Sequence, residues 1–401
     1  MNVGMIELWE YEPKLLPQQV MSREDAIRLR LNFRDQLRIE RDFTNDDRWK
    51  IVCRGYVGFI PVNQVFTFSI RPKIGLANVF GMMDYAYQLD FRMMDGIANC
   101  STLEEFYERL ANILAKRVLL REKKGLYRSY VPQHDELSCV RGRIDIAHKI
   151  RKPWNVNIKC SFEEHTADVE ENQILLWTLR GIAQTGLCSD RVMQTVRRAY
   201  RGLQGAASLR KFRYRQCVGR LYNRLNSDYE MSHLLCRFFL EQSGPLHLLG
   251  DHAIFPFLID MARLFELFVA EWLRDHMPEG FELQIQANVT FSDANYLKFV
   301  IDLVICDSIT GKIICVLDTK YKCPEAPQSD DVSQVVTYAV SKDCRNAVLI
   351  YPQQLNQQLD EKIGPIRVRN MAFEIDGDLE AAGYQFLDEL NLTGLRDKSA
   401  A

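Results

Sequence analysis

A chain of 401 residues is too long for one ordinary hydrophobic core, so two or three domains are expected. Its 47% hydrophobic and 26% charged residues fit a globular protein, and no apolar run reaches the roughly 18 residues of a membrane helix, which excludes a membrane span. A formal net charge of -2 excludes a global basic field, so any binding of a polyanion must come from local patches.

The N-terminal stretch MNVGMIELWEYEPK lacks the basic and apolar regions of a signal peptide. Eleven cysteines occur without a CxxC pair, and the nearest two histidines, His247 and His252, have no cysteines at zinc-site spacing. Reduced thiols and a cytoplasmic location are expected. Residues 1–100 read as a β-rich domain: β-branched and aromatic residues dominate Arg48 to Gly75, VFTFSI alternates in strand fashion, and a helix follows near Asn78 to Leu89.

At Leu103 the period becomes helical, with Leu103, Phe106, Leu110, Ile113, Leu114 and Val118 forming a stripe that ends at Gly125. Residues 101–250 are expected to be mainly helical after a short extended insert around CVRGRIDIAHKI. DVEENQILLWTLRGIAQTGL reads as one helix and RVMQTVRRAYRGL as another. Between Arg191 and Arg224 ten Lys/Arg occur with no Asp/Glu. Arg197, Arg198, Arg201, Arg210, Lys211, Arg213 and Arg215 are therefore candidate DNA contacts, with Tyr200, Phe212 and Tyr214 placed to pack on sugars or bases. The competing reading pairs these arginines with acidic helices or a partner. Asp168 and Asn172 fit a helix brace as well as a DNA contact.

Residues 251–390 show a cleaner order. FLIDMARLFELFVAEWLRDHM is a helix, FELQIQANVTF, LKFVIDLVIC and KIICVLDTKY are strands, DVSQVVTYAVSK is a helix and NAVLIYP a strand, before a frayed tail at 391–401. DSITG joins the two central strands as a hairpin turn. The fold class is thus α+β and multidomain, ending in an α/β domain.

The strand Ile313 to Leu317 is apolar yet finishes in Asp318, Lys320 and Lys322. Alternation puts Asp318 and Lys320 on one face. The partner strand carries Asp302 among apolar neighbours, where an unpaired carboxylate is costly. Glu266, in the preceding helix, could join them, with Glu271 a competitor. Such carboxylates with a lysine suit Mg²⁺ and, through it, phosphodiester hydrolysis. Lys320 would orient water or stabilise charge at phosphorus. Gln334 and Tyr338, four apart on a helix, could reach the same cleft, and Lys322 suits a phosphate contact or an exposed position. The plainer alternative is a surface ion pair at a strand end.

IDLVIC and VLDTKYK resemble the PD-(D/E)xK nuclease motif. Together with SIRPKIG, VRGRIDI, CSFEEHTADVEENQIL, LFELFVAEWL, DVSQVVTYA and LIYP, the chain from about Val57 to Pro352 is similar to the McrC family of modification-dependent restriction systems. The resemblance implies a restriction-endonuclease-like C-terminal domain with Asp302, Asp318 and Lys320 as motif residues and Glu266 as the helix-borne carboxylate, holding one or two Mg²⁺. It also implies double-stranded, modified DNA as substrate, in antiviral defence, and a McrB-like AAA+ ring that hydrolyses GTP and is stimulated by the N-terminal region. The motif's proline is Ile301 here, which is not a ligand position, and its second acid is Asp318, one methylene shorter than glutamate. No GxxxxGK[ST] occurs, which agrees with GTP being hydrolysed in the partner. Two other classes stay open: a catalytically inactive adaptor of an AAA+ ring, and a stand-alone repair nuclease.

Overall fold

The computed structural model describes residues 4–42, 48–63, 65–89, 100–242, 247–249, 252–254, 256–290 and 298–392, so most of the expected tail lies outside the described residues. The chain divides into two compact units, one of Met1–Asn99 with Leu258–Ala401, the other of Cys100–Phe257. The segments expected as the first and third domains therefore share one unit.

In the two-segment unit, strand Gly4–Trp9 runs parallel to Phe66–Arg71, which pairs antiparallel with Tyr56–Pro61. A second small sheet joins Pro13–Leu16, Arg48–Cys53 and Leu37–Asp42. Leu8, Phe33, Ile51 and Phe68 belong to their common core, and the Trp49 indole N–H donates to the Met21 carbonyl at 2.9 Å. Helix Arg23–Asn32 was not anticipated, because REDAIRLRLN shows only Ala26 and Leu29 as buried apolar residues; Ser22 caps it by accepting from the Asp25 N–H. The helix expected near 78–89 spans Leu76–Tyr87 and stops at Gln88, whose φ is 53°.

The larger sheet has six strands in the order Phe281–Thr290, Lys298–Asp307, Ile313–Thr319, Asn346–Tyr351, Ile366–Ala372 and Asp360–Ile363. The first three are antiparallel, while Ile313–Thr319, Asn346–Tyr351 and Ile366–Ala372 are parallel. Helix Ser329–Ser341 makes the crossover that the first parallel pair requires, and its Val335, Tyr338 and Ala339 pack on Val316, Ala347 and Leu349. Helix Met261–His276 sets Phe268 and Trp272 edge-on to Phe373. Three features differ from expectation. FLID forms strand Phe257–Asp260 ahead of the helix, with Asp260 as its cap; the pair Asp360–Ile363 and Ile366–Ala372 extends the sheet; and helix Leu379–Leu390 closes it. The hairpin turn forms as expected: Asp307 accepts from the Ile309 and Thr310 N–H groups and Gly311 takes φ +68°.

The other unit gathers helices Leu103–Lys124, Glu170–Thr185, Asp190–Gln204 and Glu230–Glu241. The expected short insert is larger: Ser129–Leu137, Ile158–Thr166 and Arg143–Ile144 form a three-stranded antiparallel sheet. Its strands bury little, so SYVPQHDEL carries no apolar periodicity to read. No described helix is long and apolar enough to cross a membrane.

Candidate active site

Strand Ile313–Thr319 is buried from Ile314 through Asp318, the carboxylate itself being 1% exposed. The register pairs Leu303 with Leu317, and one step further sets Asp302 opposite Asp318 on the same sheet face. Thr319 braces the pair: its main-chain N–H and its Oγ1 donate to Asp302 Oδ2 at 2.9 and 2.8 Å.

Lys320 lies just past the strand, anchored by its N–H donating to the Ile350 carbonyl at 2.8 Å. Its Nζ stands 2.6 Å from Asp318 Oδ2, off the hydrogen-bonding direction, so that oxygen is in ionic contact while lacking a hydrogen bond. The ammonium donates instead to Gln334 Oε1 at 3.1 Å, and Gln334 donates to Tyr338 Oη at 2.7 Å. Gln334 and Tyr338 are therefore brought together with Lys320, as their helical spacing suggests.

Burial pushes the Asp318 carboxyl up to about 7; the charge of Asp302 adds to this, and Lys320 pulls it back. Asp302 is raised by burial and then by Glu266, against the hydrogen bonds from Thr319 and the charge of Lys320. Burial opposes the charged form of Lys320, yet its pKa rises because Asp318 and Asp302 hold the ammonium. Two carboxylates, one buried and one half-buried, thus share one lysine, a cluster short of positive charge.

Glu266 is near enough to act on Asp302 but is bound elsewhere: its Oε1 lies 2.6 Å from Arg263 Nη1 and accepts from Gln286 Nε2 at 3.2 Å. Gln286 sits at φ 51°, and it and Asp302 are the one opposed position left out of an otherwise unshifted pairing of these two strands. Among the described residues no three of His, Cys, Asp or Glu gather closely enough to hold an ion. The three-carboxylate set is thus not assembled in this arrangement, because a guanidinium draws Glu266 aside. Its competitor Glu271 pairs with Arg274 and accepts from Gln88. Lys322 contacts Asp331 at 2.7 Å and donates to Gln328 at 2.6 Å, so its charge is used beside the pair rather than within it. Sequence reasoning missed Thr319, Asp331, Arg263 and Gln286. Thr319, inside DTK, was legible as the only hydroxyl between the two motif residues; the others carry no local signal.

In the other unit Arg197, Arg198, Arg201, Arg210, Lys211, Arg213 and Arg215 are all exposed. Arg220 is instead bound to Glu170 and Glu171 at 3.1 and 3.0 Å. Phe212 is buried, which removes it from any contact with bases, while Tyr200 and Tyr214 stay half-buried. Asn172 is a brace: it donates to the Tyr127 and Ala167 carbonyls at 2.9 and 2.7 Å and accepts from Tyr229 Oη at 2.7 Å. Asp168 accepts from Gln173 and from Ser208, and those hydrogen bonds outweigh burial to lower its pKa.

Comparison with known proteins agrees with this architecture. The type IV methyl-directed restriction enzyme EcoKMcrBC of Escherichia coli K12 is 23% identical over 240 residues, 57% of this chain and 64% of that protein, so the chain spans just under two thirds of this relative's length. A chain in the half-complex from the tetradecameric assembly of Thermococcus gammatolerans McrB AAA+ hexamers with bound McrC has the same fold: TM-score 0.56 at 20% identity, over 97% of this chain and 99% of that one. The family model of the McrBC 5-methylcytosine restriction system component matches residues 51–352, three quarters of the sequence, and the chain belongs to that family.

Proposed function

We propose that this chain is the DNA-cleaving subunit of a McrBC-type restriction system, a Mg²⁺-dependent endonuclease of the PD-(D/E)xK kind that acts with a GTP-hydrolysing AAA+ partner and stimulates it. The observation that carries the reading is the buried Asp318 and the half-buried Asp302 on neighbouring strands, with Lys320 in ionic contact with Asp318. The donor set fits the cation: Mg²⁺ is commonly held by one or two carboxylates, with water and substrate phosphate completing its shell, and a divalent charge would offset the burial and the neighbouring negative charge that raise both acids. When bound, Mg²⁺ polarises the scissile phosphate and acidifies a water. Asp302, fixed by Thr319, and Asp318 would hold the cation, and Lys320, steered by Gln334 and Tyr338, would orient the attacking water or stabilise charge on the phosphate. Glu266 joins only if it leaves Arg263.

The absence of a phosphate-binding loop motif from the sequence, and the McrB hexamers that accompany McrC in the similar structure, support a nucleotide-driven partner. The exposed arginines of residues 197–215 supply phosphate contacts to double-stranded DNA. The test is cleavage of methylated and unmethylated plasmid by this chain plus the AAA+ product of the neighbouring reading frame, with Mg²⁺ and GTP. Wild type should cut only with its partner, and Asp318→Ala and Lys320→Ala should lose at least about 10²-fold in rate. A wild type that never cuts, yet raises GTP hydrolysis, would make the chain an adaptor; cutting without a partner would make it a stand-alone nuclease.

A further inference from the structure

A cavity of about 600 Å³ lies within the two-segment unit, bounded by Glu10, Tyr11 and Lys73 from the N-terminal part and by Tyr321, Gln328 and Gln353 from the larger sheet. Tyr321 directly follows Lys320, so the cavity wall continues from the candidate catalytic strand.

Two independent features mark it as built for a ligand. Glu10 is fully buried; its Oε2 accepts from Tyr321 Oη at 3.3 Å, and its Oε1 makes no well-formed hydrogen bond, the Lys73 backbone N–H being the neighbouring donor that helps hold its pKa down. A buried carboxyl short of donors is costly to a fold, and a donor entering the cavity would offset that cost. Tyr11 adopts φ 61°, a left-handed conformation that bulky side chains avoid and that clusters where a ligand is clamped. Its hydroxyl fills the space a side chain at position 55 would take: a Cβ on Gly55 would stand 2.6 Å from Tyr11 Oη. Two backbone positions thus give up ordinary geometry to hold this ring, which remains 45% exposed, with Lys73 Nζ 5.6 Å from its centre.

An aromatic face, side-chain amides, a carboxyl at the cavity wall and a nearby ammonium match a nucleobase with its attached phosphate. Inorganic phosphate has no use for the ring, and a purely apolar ligand would leave Glu10 unmet. We propose that this cavity receives an unpaired DNA base from the strand being cut, stacked on Tyr11 and hydrogen-bonded along its edge to Glu10. The proposal rests on the nuclease reading above. Unstacking costs least where DNA is already single-stranded, so the pocket suits a strand opened by a translocating partner.

The full chain in EDTA is irradiated with a single-stranded oligonucleotide carrying one 5-iododeoxyuridine, and crosslinked peptides are identified by mass spectrometry. Crosslinks are expected at Tyr11 or Tyr321. They should vanish in Tyr11→Gly, which relieves the strained backbone and so should melt no lower than wild type, with affinity for the oligonucleotide falling about 5- to 150-fold, the range for loss of one base–aromatic stack. Asp318→Ala should retain them. Crosslinks confined to the arginines of 197–215, none at all, or a pattern unchanged by Tyr11→Gly would overturn the proposal. No cleavage occurs in EDTA, so cutting without pocket crosslinks refutes the pocket alone, and pocket crosslinks without cutting by the complex refute the nuclease reading alone.

Discussion

Replacing Glu10 by Gln isolates one buried charge. Burial raises the Glu10 carboxyl from 4.5 to about 7, while the hydrogen bond from Tyr321 and the neighbouring Lys73 hold it down. A folded-state pKa above the unfolded one means stability that is complete below about pH 4.5 and lost as pH rises through 7. At about 1.4 kcal/mol per pH unit the loss comes to about 3 kcal/mol by pH 8. Glutamine resembles the protonated acid and still accepts from Tyr321, so Glu10→Gln should match wild type near pH 4.5 and exceed it by about 3 kcal/mol at pH 8. Hydrogen exchange of the Gly4–Trp9 amides, compared between the two proteins at each pH, reads this locally, where a global melt of two units would not. A gap that does not change with pH, or a wild type that gains on the variant as pH rises, would refute the reasoning.

Other substitutions test the rest of the molecule. His233 is buried, and burial lowers its pKa from 6.5 to about 4, so its contribution is present above 6.5 and lost as pH falls toward 4; the Cys100–Phe257 unit should weaken by about 3 kcal/mol across that window, measured by exchange in helix Glu230–Glu241. Asn172→Ala strands two carbonyls and the Tyr229 hydroxyl and should cost about 3 kcal/mol in urea unfolding. Replacing Arg197, Arg198 and Arg201 together by Ala should weaken DNA binding uniformly across sequences and flatten the logarithmic salt dependence by about 0.9 per lost phosphate contact; an unchanged slope would assign that face to another role. Gly383→Ala would drive a methyl into the Trp272 ring and should destabilise by about 1–3 kcal/mol, seen as a lower melting temperature.

The strand pair carrying Asp302 and Asp318 was legible because burial and charge conflict openly there: the two acids interrupt apolar runs, and strand alternation alone puts Lys320 on the face of Asp318. The helices at 103–124, 170–185 and 190–204 were legible because each buries one stripe. The sheet of 129–166 was not, since exposed strands have no apolar period. Glu266 shows a second limit: helix position brings it near Asp302, but besides Arg263 on its own helix it is held by Gln286, a strand residue twenty positions away that takes a left-handed φ. Glu10 marks the extreme case, because its burial is completed by Tyr321, more than three hundred residues later.

The interrupted layout of the two-segment unit has a consequence for biosynthesis. Cys100–Phe257 is contiguous and can fold while the ribosome is still translating, whereas the sheets of the first hundred residues wait for the partners that close their unit. Asp302, Asp318 and Lys320 emerge only in the last third of the sequence. A prematurely terminated product would thus carry the arginine-rich face proposed to hold DNA without the groups proposed to cut it.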